Sequence, residues 1–218
     1  MPPRLSRRLP RRLLAALVLA LPACGAVRDA QDAAYEWHGT PMDPAREAPP
    51  LTLTAGGGRP FDLAAERGKV TLVFFGYTRC PDICPTTLAD WARARAALGA
   101  DTAGVRFVFV SVDPERDPPA AADAYAKRFH PSFVGVSGTP GEVGVVTGRW
   151  GILAAPEPAA AADPHAGHTP DTPGAPAGAT LAHTARTFLV DQDGRLRALY
   201  PQGTAPAGLA ADLRHLLD

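Results

Sequence analysis

The chain has 218 residues, of which 46% are hydrophobic and 20% are charged, and its acidic and basic residues are equal in number. This length fits one folded domain with extensions. The charge balance excludes a typical nucleic-acid-binding protein, because such a surface needs a clustered basic face.

Residues 1–23 have the features of an export signal. Five arginines and no acidic residue precede Cys24, and the apolar stretch 13–21 is well short of the ~20 residues that span a bilayer. The sequence LPACG around Cys24 resembles a bacterial lipobox, in which the cysteine becomes the lipidated first residue. We therefore expect a lipoprotein that is anchored to a membrane by Cys24 and works outside the cytoplasm. An ordinary signal peptide followed by an incidental cysteine is the alternative.

Residues 24–49 are predicted to form a tether with little core of its own. The segment is rich in alanine, acidic residues and proline, and only residues 35–40 contain aromatic side chains that could pack. His38 and Met42 could act as soft metal ligands. An N-terminal extension that docks on the domain is the simpler interpretation of both residues.

The folded domain is predicted over residues 50–218. It starts with a hairpin, because residues 51–53 and 61–63 alternate in polarity across three glycines. Two near-continuous apolar runs, 70–75 and 105–112, are typical of strands buried on both faces of a sheet. The other predicted elements are a strand at 133–136, a closing hairpin of 187–190 and 196–200, and helices at 85–98, 118–129, 141–150 and 205–217. Asp117 is predicted to be the N-cap of the helix at 118–129, with Pro118 in its first turn. This order is that of an α/β, thioredoxin-like fold with an N-terminal β-hairpin extension.

The sequence GYTRCPDICP, residues 76–85, places two cysteines directly after the first buried strand. A proline fits best at the first position of a helix, so the helix is predicted to begin at Pro85 with Cys84 as its N-cap. The amides and dipole of a helix N-terminus, together with the charge of Arg79, lower the pKa of nearby thiols. We therefore expect Cys80 and Cys84 to ionise readily, which suits metal binding and redox exchange equally.

Three features favour a metal site over thioredoxin-type redox chemistry. The cysteine spacing is Cys-x-x-x-Cys rather than Cys-x-x-Cys. In addition, no proline lies directly before strand 187–190, where those enzymes place a cis-proline. That region carries His183 instead. Two thiolates and one imidazole form a soft, low-coordinate site suited to copper, especially Cu(I), although zinc could compete. A structural disulfide, the usual role of a cysteine pair in an exported protein, is a further alternative.

Three blocks of the sequence resemble the Sco/SenC family of copper chaperones for cytochrome c oxidase assembly. They are GYTRCPDICPTTL at residues 76–88, VSVDPERD at residues 110–117, and His183-Thr184 followed by FLVD at residues 188–191. The resemblance implies that Cys80, Cys84 and His183 bind copper, as Cu(I) or Cu(II). It also implies a thioredoxin-like fold and a membrane-tethered location at the periplasmic face of the inner membrane. The implied partner is oxidase subunit II, whose dinuclear copper centre receives the metal, or another copper protein.

The leading interpretation is a metallochaperone rather than a turnover enzyme. The main alternative is an extracytoplasmic thiol-disulfide oxidoreductase, for which Cys80 and Cys84 suffice and His183 matters little. A peroxidase of the peroxiredoxin type is disfavoured, because the Thr-x-x-Cys spacing of those enzymes is not supplied by Thr78-Arg79-Cys80.

Residues 155–180 are predicted to be a disordered insertion before the last β-hairpin. Their low-complexity, proline- and alanine-rich sequence cannot bury a core. The insertion contains His165 and His168, which suggests the hypothesis of an auxiliary, weak copper-capture segment. A loop with incidental histidines is the alternative.

Overall fold

The computed structural model describes residues 34–156, 181–183 and 186–218, without the side chains of residues 154–156 and 181–183. Contacts divide the chain into Met1–Glu36 and Trp37–Asp218, and the fold below is that of the second unit. The predicted export signal with Cys24, and His165 and His168 of the predicted insertion, lie outside the described residues. Within the described ranges, no helix has both the length and the apolar character needed to cross a membrane.

The centre of the fold is an eight-stranded mixed sheet with the order β1-β10-β9-β4-β5-β6-β2-β3. Its strands are β1 (Thr40–Glu47), β2 (Thr52–Ala55), β3 (Arg59–Asp62), β4 (Val70–Gly76), β5 (Val105–Ser111), β6 (Val134–Ser137), β9 (Arg186–Val190) and β10 (Arg195–Pro201). A separate two-stranded ribbon consists of β7 (Ala154–Pro156) and β8 (Leu181–His183). The helices are α1 (Ile83–Leu98), α2 (Pro119–Lys127), α3 (Pro140–Trp150) and α4 (Pro206–Leu217).

Strand β4 lies in the middle of the sheet, and all seven of its residues are buried. It pairs in parallel with β5 and antiparallel with β9. Burial on both faces explains the continuous apolar sequence of the strand. The parallel register places Gly76 opposite Ser111, so that the loops that leave β4 and β5 start side by side at one edge of the sheet.

Aromatic side chains on either face of β4 attach the helices to the sheet. On one face, the ring centroid of Phe74 is 6.3 Å from that of Trp91 in α1, and Tyr125 of α2 lies 5.1 Å from Phe109 in β5. On the other face, Phe75 lies 5.4 Å from Trp150 of α3. Successive residues of one strand therefore anchor helices on opposite faces, as the alternation of side chains in a strand requires.

The structure corrects one part of the prediction of a tether over residues 24–49. Residues 40–47 form β1, which pairs antiparallel with β10 at the edge of the sheet. Just before it, His38 donates its main-chain N–H to the carboxylate of Asp212 in α4, and its Nδ1 lies 2.8 Å from Asp212 Oδ1. Met42 packs against the hydrophobic core. The interpretation of His38 and Met42 as parts of a docked extension therefore agrees with their contacts.

Candidate metal centre

The two cysteines of the predicted site lie next to each other where β4 leads into α1. Cys80 is in the connecting loop and is 8% exposed, whereas Cys84 is in the first turn of α1 and is fully buried. The thiols are not joined in a disulfide, and the main-chain N–H of Cys84 donates to Cys80 Sγ with an N–S distance of 3.4 Å. Two adjacent sulfur donors are therefore held where solvent scarcely reaches them.

The predicted start of the helix is wrong by two residues. Helix α1 begins at Ile83, after the capping residue Asp82, so that Cys84 is its second residue and Pro85 its third. Proline is tolerated there because the first N–H groups of a helix have no acceptor within the helix. Cys84 is thus not the N-cap, and its main-chain N–H donates to the sulfur of Cys80.

The expectation that both thiols ionise readily is wrong for Cys84. The pKa of Cys84 is raised far above its ordinary value, first by the hydrogen bond with the Cys80 thiol and then by burial. A backbone hydrogen bond from Tyr77 lowers this pKa but does not offset the other effects. The hydrogen bond with the Cys80 thiol and burial therefore outweigh the effect of the helix N-terminus, and binding of a soft metal cation is what would favour the thiolate form.

Gly76, the last residue of β4, leaves the space that the Cys84 sulfur occupies. A Cβ atom at this position would lie 2.7 Å from Cys84 Sγ and 3.0 Å from Cε2 of Phe109. Both distances are shorter than a normal van der Waals contact, so any larger residue would displace the sulfur or the ring. Sequence reasoning missed this role, although the glycine directly after an apolar strand indicates a close approach of other atoms.

Asp117 is the second residue that sequence reasoning misplaced. Helix α2 begins at Pro119 with Pro118 as its cap, and the carboxylate of Asp117 instead accepts hydrogen bonds from the loop before Cys80. The main-chain N–H and the hydroxyl of Thr78 donate to it at 2.8 and 2.5 Å, and the hydroxyl of Ser111 at 2.7 Å. A local capping rule cannot find such an acceptor, because its partners are supplied by another part of the chain.

Tyr125 of α2 brings a further polar group to the same side of the sheet. Its hydroxyl is buried and has no hydrogen-bond partner among the described residues. Burial raises the pKa of this hydroxyl, and the charges of Cys84 and Cys80 raise it further.

The main chain of His183 belongs to β8, where the residue pairs with Ala154 of β7. The described residues do not include its side chain, so its part in the site stays a prediction. Among the described side chains, no cluster of three potential metal-binding groups is present.

The donor chemistry that the structure does place fits a soft metal. Two adjacent, nearly buried sulfur atoms suit Cu(I), Cu(II) with thiolate ligands, or Zn(II), and do not suit the hard cations Mg²⁺ and Ca²⁺. The same pair of reduced thiols could also be oxidised to a disulfide. The geometry of the sulfur atoms therefore leaves open both chemistries that the sequence suggested.

Comparison with known proteins shows which family the chain is similar to. The profile of the SCO1/SenC family matches residues 39–218. The SCO2-like protein of Rickettsia conorii is 29% identical over 158 residues, which are 72% of this chain and 71% of that protein. The corresponding protein of Rickettsia felis is 30% identical over 138 residues, 63% of this chain and 61% of its own length.

Solved structures give the same result for the fold. The apo Sco1 protein of Thermus thermophilus has a TM-score of 0.68 and 38% identity over 84% of this chain and 98% of its own. The ScoI protein of Bradyrhizobium japonicum with copper bound has a TM-score of 0.65 and 36% identity over 78% of this chain and 99% of its own. The predicted thioredoxin-like α/β fold is confirmed by these similarities.

Proposed function

Because the chain belongs to the SCO1/SenC family, we propose that it is a copper-binding protein that takes part in the assembly of cytochrome c oxidase. The observation that carries the proposal is the adjacency of the nearly buried thiols of Cys80 and Cys84. It is supported by the copper-bound ScoI of Bradyrhizobium japonicum, to which the chain is 36% identical. Copper is the cargo of this protein, which acts as a carrier and not as a turnover enzyme.

We propose that copper is held by Cys80, Cys84 and His183. Both sulfurs come from one short loop, so a single cation can neutralise two thiolates at once and release their protons. This agrees with the raised pKa of Cys84, because the pocket disfavours a thiolate until a positive charge is present. The imidazole of His183 would be the ligand that comes from a different segment, which makes it the simplest one to detach when copper is handed on.

The proposed recipient is the dinuclear copper centre of oxidase subunit II, or another extracytoplasmic copper protein. Transfer needs an incoming thiolate or imidazole to replace the ligands of the carrier one at a time. A site with few ligands favours such an exchange, because an additional ligand can bind before the first one leaves. We also propose that Cys24 is lipidated, which keeps this exchange at the periplasmic face of the membrane.

A thiol-disulfide oxidoreductase acting on extracytoplasmic cysteines is the second candidate. It is favoured by the same adjacent thiols, since reduced Cys80 and Cys84 can transfer two electrons to a substrate disulfide and become a disulfide themselves. His183 has no necessary part in that reaction. The two functions can therefore be separated at this residue.

The deciding experiment compares the wild type with Cys80→Ser/Cys84→Ser and His183→Ala. Copper affinity is measured by competition with a chelator of known affinity, and redox activity by reduction of a test disulfide. We expect the double serine variant to lose both activities, and His183→Ala to lose at least tenfold in copper affinity while it still reduces the disulfide. His130→Ala is the matched control, because His130 is a histidine whose ring contacts Ser132 and lies outside the proposed ligand set.

Two outcomes would contradict the proposal. If His183→Ala binds copper as tightly as the wild type, the three-ligand site is wrong. If the wild type binds no copper but reduces disulfides, the oxidoreductase is the correct function. The auxiliary role of His165 and His168 is tested with the double alanine variant, where unchanged copper stoichiometry and affinity exclude it.

A further inference from the structure

The carboxylate of Asp117 lies at the point where the loops after β4 and β5 meet. The side chain of Asp117 is fully buried. Its three donors come from two separate segments: the N–H and hydroxyl of Thr78 belong to the loop that leads to Cys80, and the hydroxyl of Ser111 belongs to the end of β5. We call Asp117, Thr78 and Ser111 the Asp117 cluster.

The position of Asp117 is itself fixed by its own turn. Its main-chain N–H donates to the carbonyl of Asp113 at 2.8 Å, and the N–H of Asp113 donates to the Ser111 hydroxyl at 3.2 Å. Arg116, the neighbouring cation, pairs with Asp113 at 3.1 Å. The carboxylate of Asp117 is thus directed at the cysteine loop, and its hydrogen bonds there are with neutral donors.

Thr78 links this carboxylate to the thiols over a very short stretch of chain. Only Arg79 separates Thr78 from Cys80, and the N–H of Cys80 donates to the carbonyl of Tyr77 at 3.3 Å in the same turn. On the other side of Thr78, Gly76 approaches Cys84 Sγ closely. A shift of Thr78 would therefore change the position of the Cys80 sulfur relative to the Cys84 sulfur.

We propose that Asp117 is a positioning residue, which holds the Thr78 segment so that the sulfurs of Cys80 and Cys84 face a single metal ion. This inference rests on the proposed copper-binding function. Asp117 is not a ligand in it. Partners that fix metal ligands in this way typically contribute 10- to 100-fold to metal affinity.

The same arrangement has a consequence that does not involve copper. Two thiols that are held close together have a high effective concentration for each other, which favours their disulfide over mixed disulfides with small thiols. If the loop loosens, this advantage falls. The equilibrium between the Cys80–Cys84 disulfide and glutathione therefore reports on the positioning in the metal-free protein.

The test compares Asp117→Asn with Asp123→Asn. Asparagine keeps the size of the side chain but offers one acceptor oxygen to three donors. Asp123 is the matched control, because it is a buried carboxylate in α2 that accepts from the main-chain N–H of Gly135 and from Lys127, away from the cysteine loop. Thr78→Val removes one donor hydroxyl and keeps the main-chain contact, so it should have a smaller effect than Asp117→Asn.

For Asp117→Asn we expect at least a tenfold loss of copper affinity, an altered thiolate-to-Cu(II) charge-transfer spectrum, and a several-fold fall in the disulfide equilibrium constant against glutathione. Asp123→Asn should match the wild type in all three. The proposal is overturned if folded Asp117→Asn stays within twofold of the wild type in affinity and in the glutathione equilibrium. It is equally overturned if Asp123→Asn shows the same losses, since the effect is then one of general stability.

Two further outcomes are distinguishable. If Asp117→Asn does not fold, Thr78→Val decides by the same measurements, and a wild-type result for that variant contradicts the proposal. If the wild type itself binds no copper, the proposed function fails. The glutathione equilibrium of Asp117→Asn then still decides whether Asp117 positions the thiols.

Discussion

Asp117 and Asp212 are both fully buried, and each accepts hydrogen bonds that attach a distant segment of chain to the fold. Asp117 binds the loop of the cysteines through hydroxyl and amide donors. Asp212 binds the start of the N-terminal extension through the N–H and imidazole of His38, and it also accepts from the hydroxyl of Tyr200 at 2.8 Å. We call Asp212, His38 and Tyr200 the Asp212 cluster.

The two clusters differ in what depends on them. The Asp117 cluster joins segments 39 residues apart and lies beside the thiols, whereas the Asp212 cluster joins residues 174 apart and lies against α4. We therefore expect disruption of the Asp212 cluster to lower stability without affecting copper. Disruption of the Asp117 cluster should affect copper more than stability. The comparison teaches that similar buried hydrogen bonds can serve either the fold or the site, according to which segment they hold.

The largest effect on stability is expected for Asp212→Ala. This change removes the acceptor that the buried Tyr200 hydroxyl and the half-exposed His38 donors share, and a buried polar group that loses its acceptor costs about 1–3 kcal/mol. We expect the free energy of unfolding, measured by denaturant titration, to fall by about 3 kcal/mol. Copper affinity of the folded fraction should equal that of the wild type, and a tenfold loss of affinity would contradict the separation of the two clusters.

For Gly76→Ala we expect a smaller loss of stability together with a loss of copper affinity. The added methyl group would overlap the Cys84 sulfur and the Phe109 ring, and such overpacking costs about 1–3 kcal/mol. The displaced sulfur should weaken copper binding in a chelator competition. Gly141→Ala is the control, because a Cβ there meets no atom within 4 Å, and it should match the wild type in copper affinity. Wild-type copper affinity in Gly76→Ala would show that the sulfur does not need this space.

The smallest effects are expected from a pair of tyrosine substitutions. Tyr200→Phe removes a hydroxyl that donates to Asp212, so the free energy of unfolding should fall by about 1.5 kcal/mol. Tyr125→Phe removes a buried hydroxyl without a partner among the described residues, so it should leave stability unchanged or raise it by up to about 1 kcal/mol. Thermal and denaturant unfolding of both variants test this difference. An equal loss in both would mean that the Tyr125 hydroxyl is bonded in solution.

Strands β4 and β5 were predictable because the physical signal is local. Burial on both faces demands a continuous apolar sequence, and the glycine and proline residues that follow mark where it ends. The cysteine motif was predictable for the same reason, since its two thiols lie within one short loop. In contrast, β1 has a mostly exposed sequence without alternation, and it becomes a strand only because β10 offers a free edge about 150 residues later.

The errors at the site have one common origin, which is the use of local rules where distant contacts decide. Helix-end effects predicted an acidic Cys84, but burial and the neighbouring thiol outweigh them. Capping preferences predicted a local role for Asp117, but Thr78 and Ser111 supply better donors. The third predicted ligand, His183, is separated from the cysteines by about a hundred residues, so only the thioredoxin-like order of the elements and the resemblance to a family could join it to them.

The two outer strands of the sheet share a chemical property that bears on the behaviour of the protein at high concentration. Strand β1 contains Pro41 and Pro44, and β3 contains Pro60. An exposed edge invites another strand to pair with it, and proline has no N–H to offer to such a strand. Both ends of the sheet are therefore poor templates for self-association. This would keep copies of the protein separate even where they are crowded together.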